Sequence, residues 1–256
     1  MKALITGASS GFGWDMAHIL SGMGYDIIAV ARREERLLKL KNELETNVEI
    51  ICADITDYEQ CVNIAKKACE ADILINNAGF GVFGEFVSND LNEELKMIDT
   101  NIRSLHILTK LTVQEYIKKG SGHIMNVASI ASFFPGPLFS AYYASKSYVL
   151  RLSQGLSEEL RKSGSNVKIS VLCPGPTHTE FEKVAKVNFG SGSEKFKIVM
   201  SSRDVAEYAI KKMFQGKKVI IPGKIMKIAA YLRHILPDTL LAKVIYKIQS
   251  EKCVIK

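Results

Sequence analysis

A chain of 256 residues, 47% hydrophobic and 24% charged, suffices for one sizeable α/β domain with its own core, and this composition excludes a disordered chain. Nine lysines and arginines between Gly216 and Lys256 oppose only Asp238 and Glu251, which accounts for the whole formal charge of +7. The body is formally neutral, and its sequence suggests no basic face of the kind expected for binding nucleic acid through it.

Lys2-Ala3-Leu4-Ile5-Thr6 reads as a buried strand, and Gly7-Ala8-Ser9-Ser10-Gly11-Phe12-Gly13 follows at once. Met16, Ala17, Ile19 and Leu20 then recur at helical spacing as far as the Gly22 and Gly24 stop. In this strand-loop-helix setting, glycines let the backbone approach a pyrophosphate and the free N–H groups of the helix start bind its charge. Trp14 is expected to be a packing residue. The run before Gly7 is too short for a signal peptide or a membrane span, so a cytoplasmic protein is expected.

Tyr25 to Ala31 reads as the second strand and ends in Arg32-Arg33. About 20 positions past such a loop, an acid selects the ribose of NAD and an arginine accommodates the extra phosphate of NADP. Ala31 and Arg32 stand there, so NADP(H) is expected in preference to NAD(H), which stays an alternative because Glu34 and Glu35 follow closely. Leu37 to Leu44 reads as a helix and Val48 to Cys52 as a strand with Asp54 at its end. A helix through Val62, Ile64 and Ala68 leads to the strand Asp72 to Asn76 and the turn Asn77-Ala78-Gly79. Strand ends of a parallel sheet point at the ligand crevice, which puts Asp54 and this turn near adenine and its ribose.

The segment Leu91 to Lys118 is expected to be helical and contains Asn101. Gly122 to Ala128 reads as a strand running into a loop at Ser129. The aromatic stretch Phe133 to Phe139 suits either an apolar substrate wall or a packed loop. Ala141 onward reads as a helix through Leu150, Leu152, Leu156 and Leu160, so Tyr142 and Lys146, four apart, share a face. A free phenol ionises near pH 10, and a cation held nearby favours the phenolate, allowing a tyrosine to exchange a proton near neutrality. The Ser129 hydroxyl is placed to polarise a carbonyl that Tyr142 protonates.

Val167 to Cys173 is a further strand, running into Pro174-Gly175-Pro176-Thr177-His178. His178 suits a solvent-facing loop or a substrate contact. Gly190-Ser191-Gly192-Ser193 has the composition of a mobile lid. Ser201-Ser202-Arg203-Asp204 starts a capped helix through Ala206, Ile210 and Met213, and Val219 to Pro222 reads as the last strand. Beyond it lie two amphipathic helices separated by Pro237. The five cysteines, Cys52, Cys61, Cys69, Cys173 and Cys253, have no metal-ligand spacing, so buried reduced thiols and no metal are expected.

Alternating strands and helices imply a Rossmann-like doubly wound parallel sheet. From Lys2 to about Pro222 the chain resembles the short-chain dehydrogenase/reductase family, through Thr6-Gly7-x-x-x-Gly11-x-Gly13, Asp54, Asn76-Asn77-Ala78-Gly79, Asn101, Ser129, Tyr142-x-x-x-Lys146 and Pro174-Gly175 in that order. The resemblance implies hydride transfer between a nicotinamide and a carbonyl or alcohol carbon of a small, rather apolar substrate. Tyr142 would be the general acid or base, Lys146 would hold the nicotinamide ribose and tune Tyr142, Ser129 would orient the substrate oxygen, and Asn101 would anchor a water-linked proton path. Tyr143 does not take that place, since Ser147 stands four residues on.

Carried over residue by residue, cofactor contacts are expected from Gly7, Ser9, Ser10, Gly11, Phe12, Gly13, Arg32, Arg33, Asp54 and Ile55. Asn77, Ala78, Gly79, Tyr142, Lys146, Pro174, Gly175 and Thr177 complete the set. Ser10 stands where some NADP-using members carry a basic residue, which rests that preference on Arg32. Residues 1–222 are expected to form the dinucleotide-binding and catalytic domain and residues 223–256 a basic helical extension on the same domain or on a partner. A homodimer or homotetramer is expected, with peripheral membrane contact an alternative use of the basic helices. The rival function is a dinucleotide-binding redox sensor or scaffold without turnover.

Overall fold

The computed structural model describes residues 1–185, 199–233 and 235–251, within which strands and helices alternate. The strands are β1 (Lys2–Thr6), β2 (Asp26–Ala31), β3 (Val48–Cys52), β4 (Ile73–Asn76), β5 (His123–Val127), β6 (Lys168–Leu172) and β7 (Val219–Ile220). They form a single sheet in the order β3-β2-β1-β4-β5-β6-β7, with every neighbouring pair parallel. This is the Rossmann-like doubly wound sheet that the alternation predicts. Gly190-Ser191-Gly192-Ser193 and Cys253 lie outside the described residues. Cys61 and Cys173 are free and buried, whereas Cys69 is half-buried and Cys52, at the end of the outermost strand, is exposed rather than buried.

Strand alternation sorts the core into two layers. Ala3, Ile5, Ile27, Ala29 and Met125 point to one face, where they meet α1 (Gly11–Gly22), α2 (Glu34–Glu43) and α8 (Ser202–Phe214). Leu4, Ile28, Leu74 and Ile124 point to the other, against α3 (Tyr58–Ala68), α5 (Leu105–Lys119) and the end of α6 (Ser140–Lys162). A sheet covered on both faces needs continuous apolar strands, as these are, and truncating one such residue to alanine removes about 2–5 kcal/mol. Trp14 packs partly buried on the first layer, and Ser201 caps α8 by accepting from the Asp204 N–H at 3.0 Å.

One departure from the expected elements matters for the site. The segment expected as one helix divides into α4 (Leu91–Ile98), a π-helical turn (Asp99–Ser104) and α5. The wide turn is held by tertiary bonds: Asn101 reaches the backbone of Phe80, and the Ser104 hydroxyl reaches the Ile55 carbonyl at 2.7 Å.

After β7 come α9 (Lys224–Leu232) and α10 (Asp238–Ser250), divided at Pro237. Both pack on the body: Met226 fills the space beside Gly175, Ala230 and Leu241 are buried, and Gln249 Nε2 donates to the Tyr143 hydroxyl at 2.7 Å. No helix among the described residues is long and apolar enough to cross a membrane.

Candidate active site

The chain winds outward from β1 to β3, then returns to β4 on the other side of β1, so the loops after β1 and β4 part and leave a crevice. Loops from the carboxyl ends of six strands line one cleft of about 710 Å³ there, a size suited to a cofactor and a small substrate. A clasp sets its floor: Thr6 Oγ1 accepts from the N–H groups of Asn77 and Ala78 at 3.0 and 3.1 Å, while Asn77 Nδ2 donates to the Thr6 and Gly7 carbonyls.

The cleft is lined by Gly7, Ser9, Ser10, Gly11, Phe12, Arg32, Arg33, Asp54, Ile55, Asn77, Ala78, Gly79, Ser129, Tyr142, Lys146, Pro174, Gly175 and Thr177. Gly13 and Asn101 are the two expected site residues that stand behind the wall. A Cβ on Gly13 would lie 2.4 Å from the Gly7 carbonyl oxygen, so Gly13 serves as a spacer beneath the loop. Gly7 itself holds a left-handed backbone with φ of 68°, which glycine adopts without strain. The N-terminus of α1 opens on this cleft with no side-chain cap and no acid in its first turn, so its N–H groups and positive dipole end suit a pyrophosphate.

At the end of the cleft beside β2 the two expected arginines differ in placement. Arg32 is 74% exposed at its side chain and meets Asp54 only at 3.8 Å. Arg33 points into the site, donating from one nitrogen to the Ser9 and Ser10 hydroxyls, each at 3.0 Å, and pairing with Glu180 at 2.7 Å. Glu180, in the short helix α7 (Glu180–Val184), is held below the usual carboxylate range first by Arg33. Both arginines line the cleft, and Arg33 is the one that also engages the loop after β1.

At the other end Ser129, Tyr142 and Lys146 line the cleft together. Ser129 leaves β5 extended and caps the following turn by accepting from the Ala131 N–H at 3.1 Å. Tyr142 and Lys146 are both buried, with the Lys146 nitrogen 5.9 Å from the Tyr142 ring centre. The expected lowering of the phenol's pKa is not what surrounds it: burial pushes Tyr142 well above the ordinary tyrosine value, and the Ser129 hydroxyl offsets this only in part. Burial conversely lowers the Lys146 ammonium to about 8, while Nζ donates to the Val127 carbonyl at 3.0 Å. Desolvation disfavours the charged form of both groups.

Asn101 is fully buried and its amide is already engaged. Oδ1 accepts from the Phe80 N–H at 3.1 Å, and Nδ2 donates to the Phe80 carbonyl and the Ser145 hydroxyl at 2.9 and 3.0 Å. A Cβ on Gly79 would come within 2.8 Å of Asn101 Oδ1 and 3.1 Å of Lys146 Nζ. Gly79 therefore lets this clamp and Lys146 close on one another.

The apolar wall is divided. Phe139 stacks on Tyr142 with ring centres 4.4 Å apart, and Phe181 lies 5.4 Å from the same ring. Phe133 and Phe134 instead pack in the core behind the wall. His178 is exposed beside Glu182. The sequence reading missed Glu180, Phe181 and Gln249 as lining residues. Gln249 lies more than 100 positions from Tyr143, and no motif links the two.

The family model described as short chain dehydrogenase matches residues 1–188. The chain belongs to the short-chain dehydrogenase family. This short-chain dehydrogenase is 32% identical over 216 residues to the NADP-dependent 3-hydroxy acid dehydrogenase YdfG of Escherichia coli, covering 81% of the chain and 86% of that relative. Among solved structures it resembles a short-chain dehydrogenase from Sphingobium yanoikuyae in complex with NADPH, with a TM-score of 0.81, 31% identity and 91% of each chain covered. It also resembles the bulky-bulky ketone specific alcohol dehydrogenase from Comamonas testosteroni, with a TM-score of 0.76, 26% identity and 91% of each chain covered. As a member of this family it is an oxidoreductase.

Proposed function

We propose that the protein is an NADP(H)-dependent oxidoreductase that transfers hydride between nicotinamide and the carbonyl or alcohol carbon of a small, apolar substrate. The convergence of Ser129, Tyr142 and Lys146 at one end of a cleft whose other end is the Arg33 cluster carries this reading. The α1 N-terminus and the glycine loop suit the pyrophosphate, and Ser9, Ser10 and Arg33 suit the ribose phosphate that distinguishes NADP. When bound, the nicotinamide supplies or accepts the hydride.

In reduction Ser129 donates a hydrogen bond to the substrate carbonyl and Tyr142 gives that oxygen its proton. Burial suits Tyr142 to the acid role, since it keeps the phenol protonated at neutral pH. Lys146, with a pKa of about 8, replaces that proton and supports the phenolate transiently formed. Asn101 acts as a positioning residue through Phe80 and Ser145. Phe139 and Phe181 favour an apolar substrate.

The division at Pro222 and assembly as a homodimer or homotetramer belong to the same reading. Screening ketones, aldehydes and alcohols with NADPH/NADP and then NADH/NAD tests it. Turnover with an apolar carbonyl, faster with NADPH, is expected; cofactor binding with no turnover across the screen would instead mark a redox sensor.

A further inference from the structure

Helices α9 and α10 carry their large aliphatic residues outward. On α9 the ridge Ile225, Ile228 and Leu232 lies exposed, Ile228 by 61%, while the buried side is built from Ala230 and Met226. On α10 Leu240, Val244 and Ile248 recur every four residues and stay about half exposed, with Lys243 and Lys247 beside them on the wheel. Ile235, in the connection, is 67% exposed. Both helices are thus amphipathic toward solvent, the reverse of what core packing alone asks of a surface helix.

We propose that α9 and α10 are a docking surface for an anionic lipid bilayer, which draws the apolar substrate from the lipid into the cleft. Charge selects this occupant. All the excess positive charge of the chain falls after Gly216, and residues 1–215 are formally neutral. A second copy packed ridge to ridge would bring Lys243 and Lys247 close to their own counterparts, whereas acidic headgroups pair with both. Such a helix lies in the interface plane, its ridge in the acyl boundary and its lysines among the headgroups.

Position ties this surface to the cleft. The flank of α10 next to the exposed ridge holds Gln249, which lines the cleft and bonds Tyr143, and Val184, also on the lining, is itself exposed. A helix seated on lipid therefore also forms part of the substrate wall. The docking stands on the surface itself; entry of substrate from the lipid rests on the reading of the cleft given above.

The test is co-sedimentation of the full chain with vesicles of phosphatidylcholine alone or with about 30% phosphatidylserine, at about 0.05 and about 0.5 M salt. Binding to the acidic vesicles alone is expected, weakened by salt and about fivefold for each lysine removed in Lys243→Ala and Lys247→Ala. The pair Val244→Ser and Ile248→Ser should also lose binding while keeping wild-type circular dichroism and NADPH affinity. No binding of the wild-type chain at low salt, or equal binding to neutral vesicles, overturns the proposal. So does a serine pair that splits a soluble dimer and leaves vesicle binding intact, because a second copy then covers the ridge. Vesicle binding is read without substrate: if it holds while no carbonyl is reduced, the oxidoreductase reading fails alone. Substrate entry from lipid predicts that acidic vesicles accelerate reduction of a bilayer-partitioned ketone by the wild-type chain but not by the lysine variants, and equal acceleration overturns it.

Discussion

Lys146 donates from Nζ to the carbonyl oxygen of Val127 at 3.0 Å, so the end of β5 fixes the amine that stands over the Tyr142 ring. The amine is buried with no carboxylate partner among the described residues, and its pKa falls from 10.5 to about 8. The unfolded chain binds more protons between these values, so stability rises with pH across that window and is lowest below about pH 8. Lys146→Met should stabilise the fold at pH 7 by about 2 kcal/mol, the difference between about 3 kcal/mol of removed desolvation and about 1 kcal/mol for the lost hydrogen bond. The gain should shrink toward pH 10.5, and turnover should vanish. Urea unfolding at pH 7 and pH 10 measures it, and a variant less stable than wild type at pH 7 contradicts the account.

Tyr142→Phe removes the hydroxyl proposed as proton donor but keeps the ring that stacks on Phe139. Turnover should fall by about 10²–10⁴-fold with NADPH affinity nearly unchanged. Steady-state rates beside fluorescence titration of NADPH separate the two effects. Undiminished turnover would remove Tyr142 from the chemistry.

Gly13→Ala places a methyl group where the Gly7 carbonyl oxygen and Asn77 Nδ2 already lie, at 2.4 and 2.6 Å. Neither is the free end of a flexible side chain, because Asn77 is clasped to Thr6 and Gly7. The loop must move, with a loss of about 1–3 kcal/mol in stability and weaker dinucleotide binding. Thermal unfolding with and without NADPH measures both, and an unchanged midpoint in each condition would refute the spacer role.

Arg33 offers a charge-assisted pair to a ribose phosphate, and Glu180 competes for the same nitrogen. Arg33→Ala should weaken NADPH binding by roughly 30-fold, corresponding to about 2 kcal/mol, and leave NADH binding nearly unaltered. Glu180→Gln should strengthen NADPH binding by removing the competing carboxylate. Equal losses for both dinucleotides in Arg33→Ala would place the phosphate elsewhere.

The strands and the glycine loop are legible in the sequence because each is a local pattern: continuous apolar runs such as Ala3-Leu4-Ile5, then residues with a left-handed backbone at Gly7 and Gly11. Spacing likewise places Tyr142 and Lys146 on one face. It does not reveal what buries them, since Phe181 reaches the Tyr142 ring from a distant segment and burial reverses the expected effect on the phenol. The π-helical turn is hidden for the same reason, being held through Asn101 by the backbone of Phe80. Arg33 is distinguished from Arg32 only by the direction in which each side chain leaves the end of β2.

His123 sits buried on β5, its Nε2 2.9 Å from the Ser170 hydroxyl on the neighbouring strand. Burial, with Lys168 adding to it, lowers its pKa from 6.5 to about 4, so the folded protein keeps it neutral where the unfolded chain begins to protonate it. Its contribution is fully present above about pH 6.5 and disappears as pH falls through 4, a difference of about 3 kcal/mol. His123→Gln can still bond Ser170 but cannot titrate. Urea midpoints of the variant should therefore fall less than those of wild type between pH 7 and pH 4. Parallel declines would show that acid sensitivity arises at other groups.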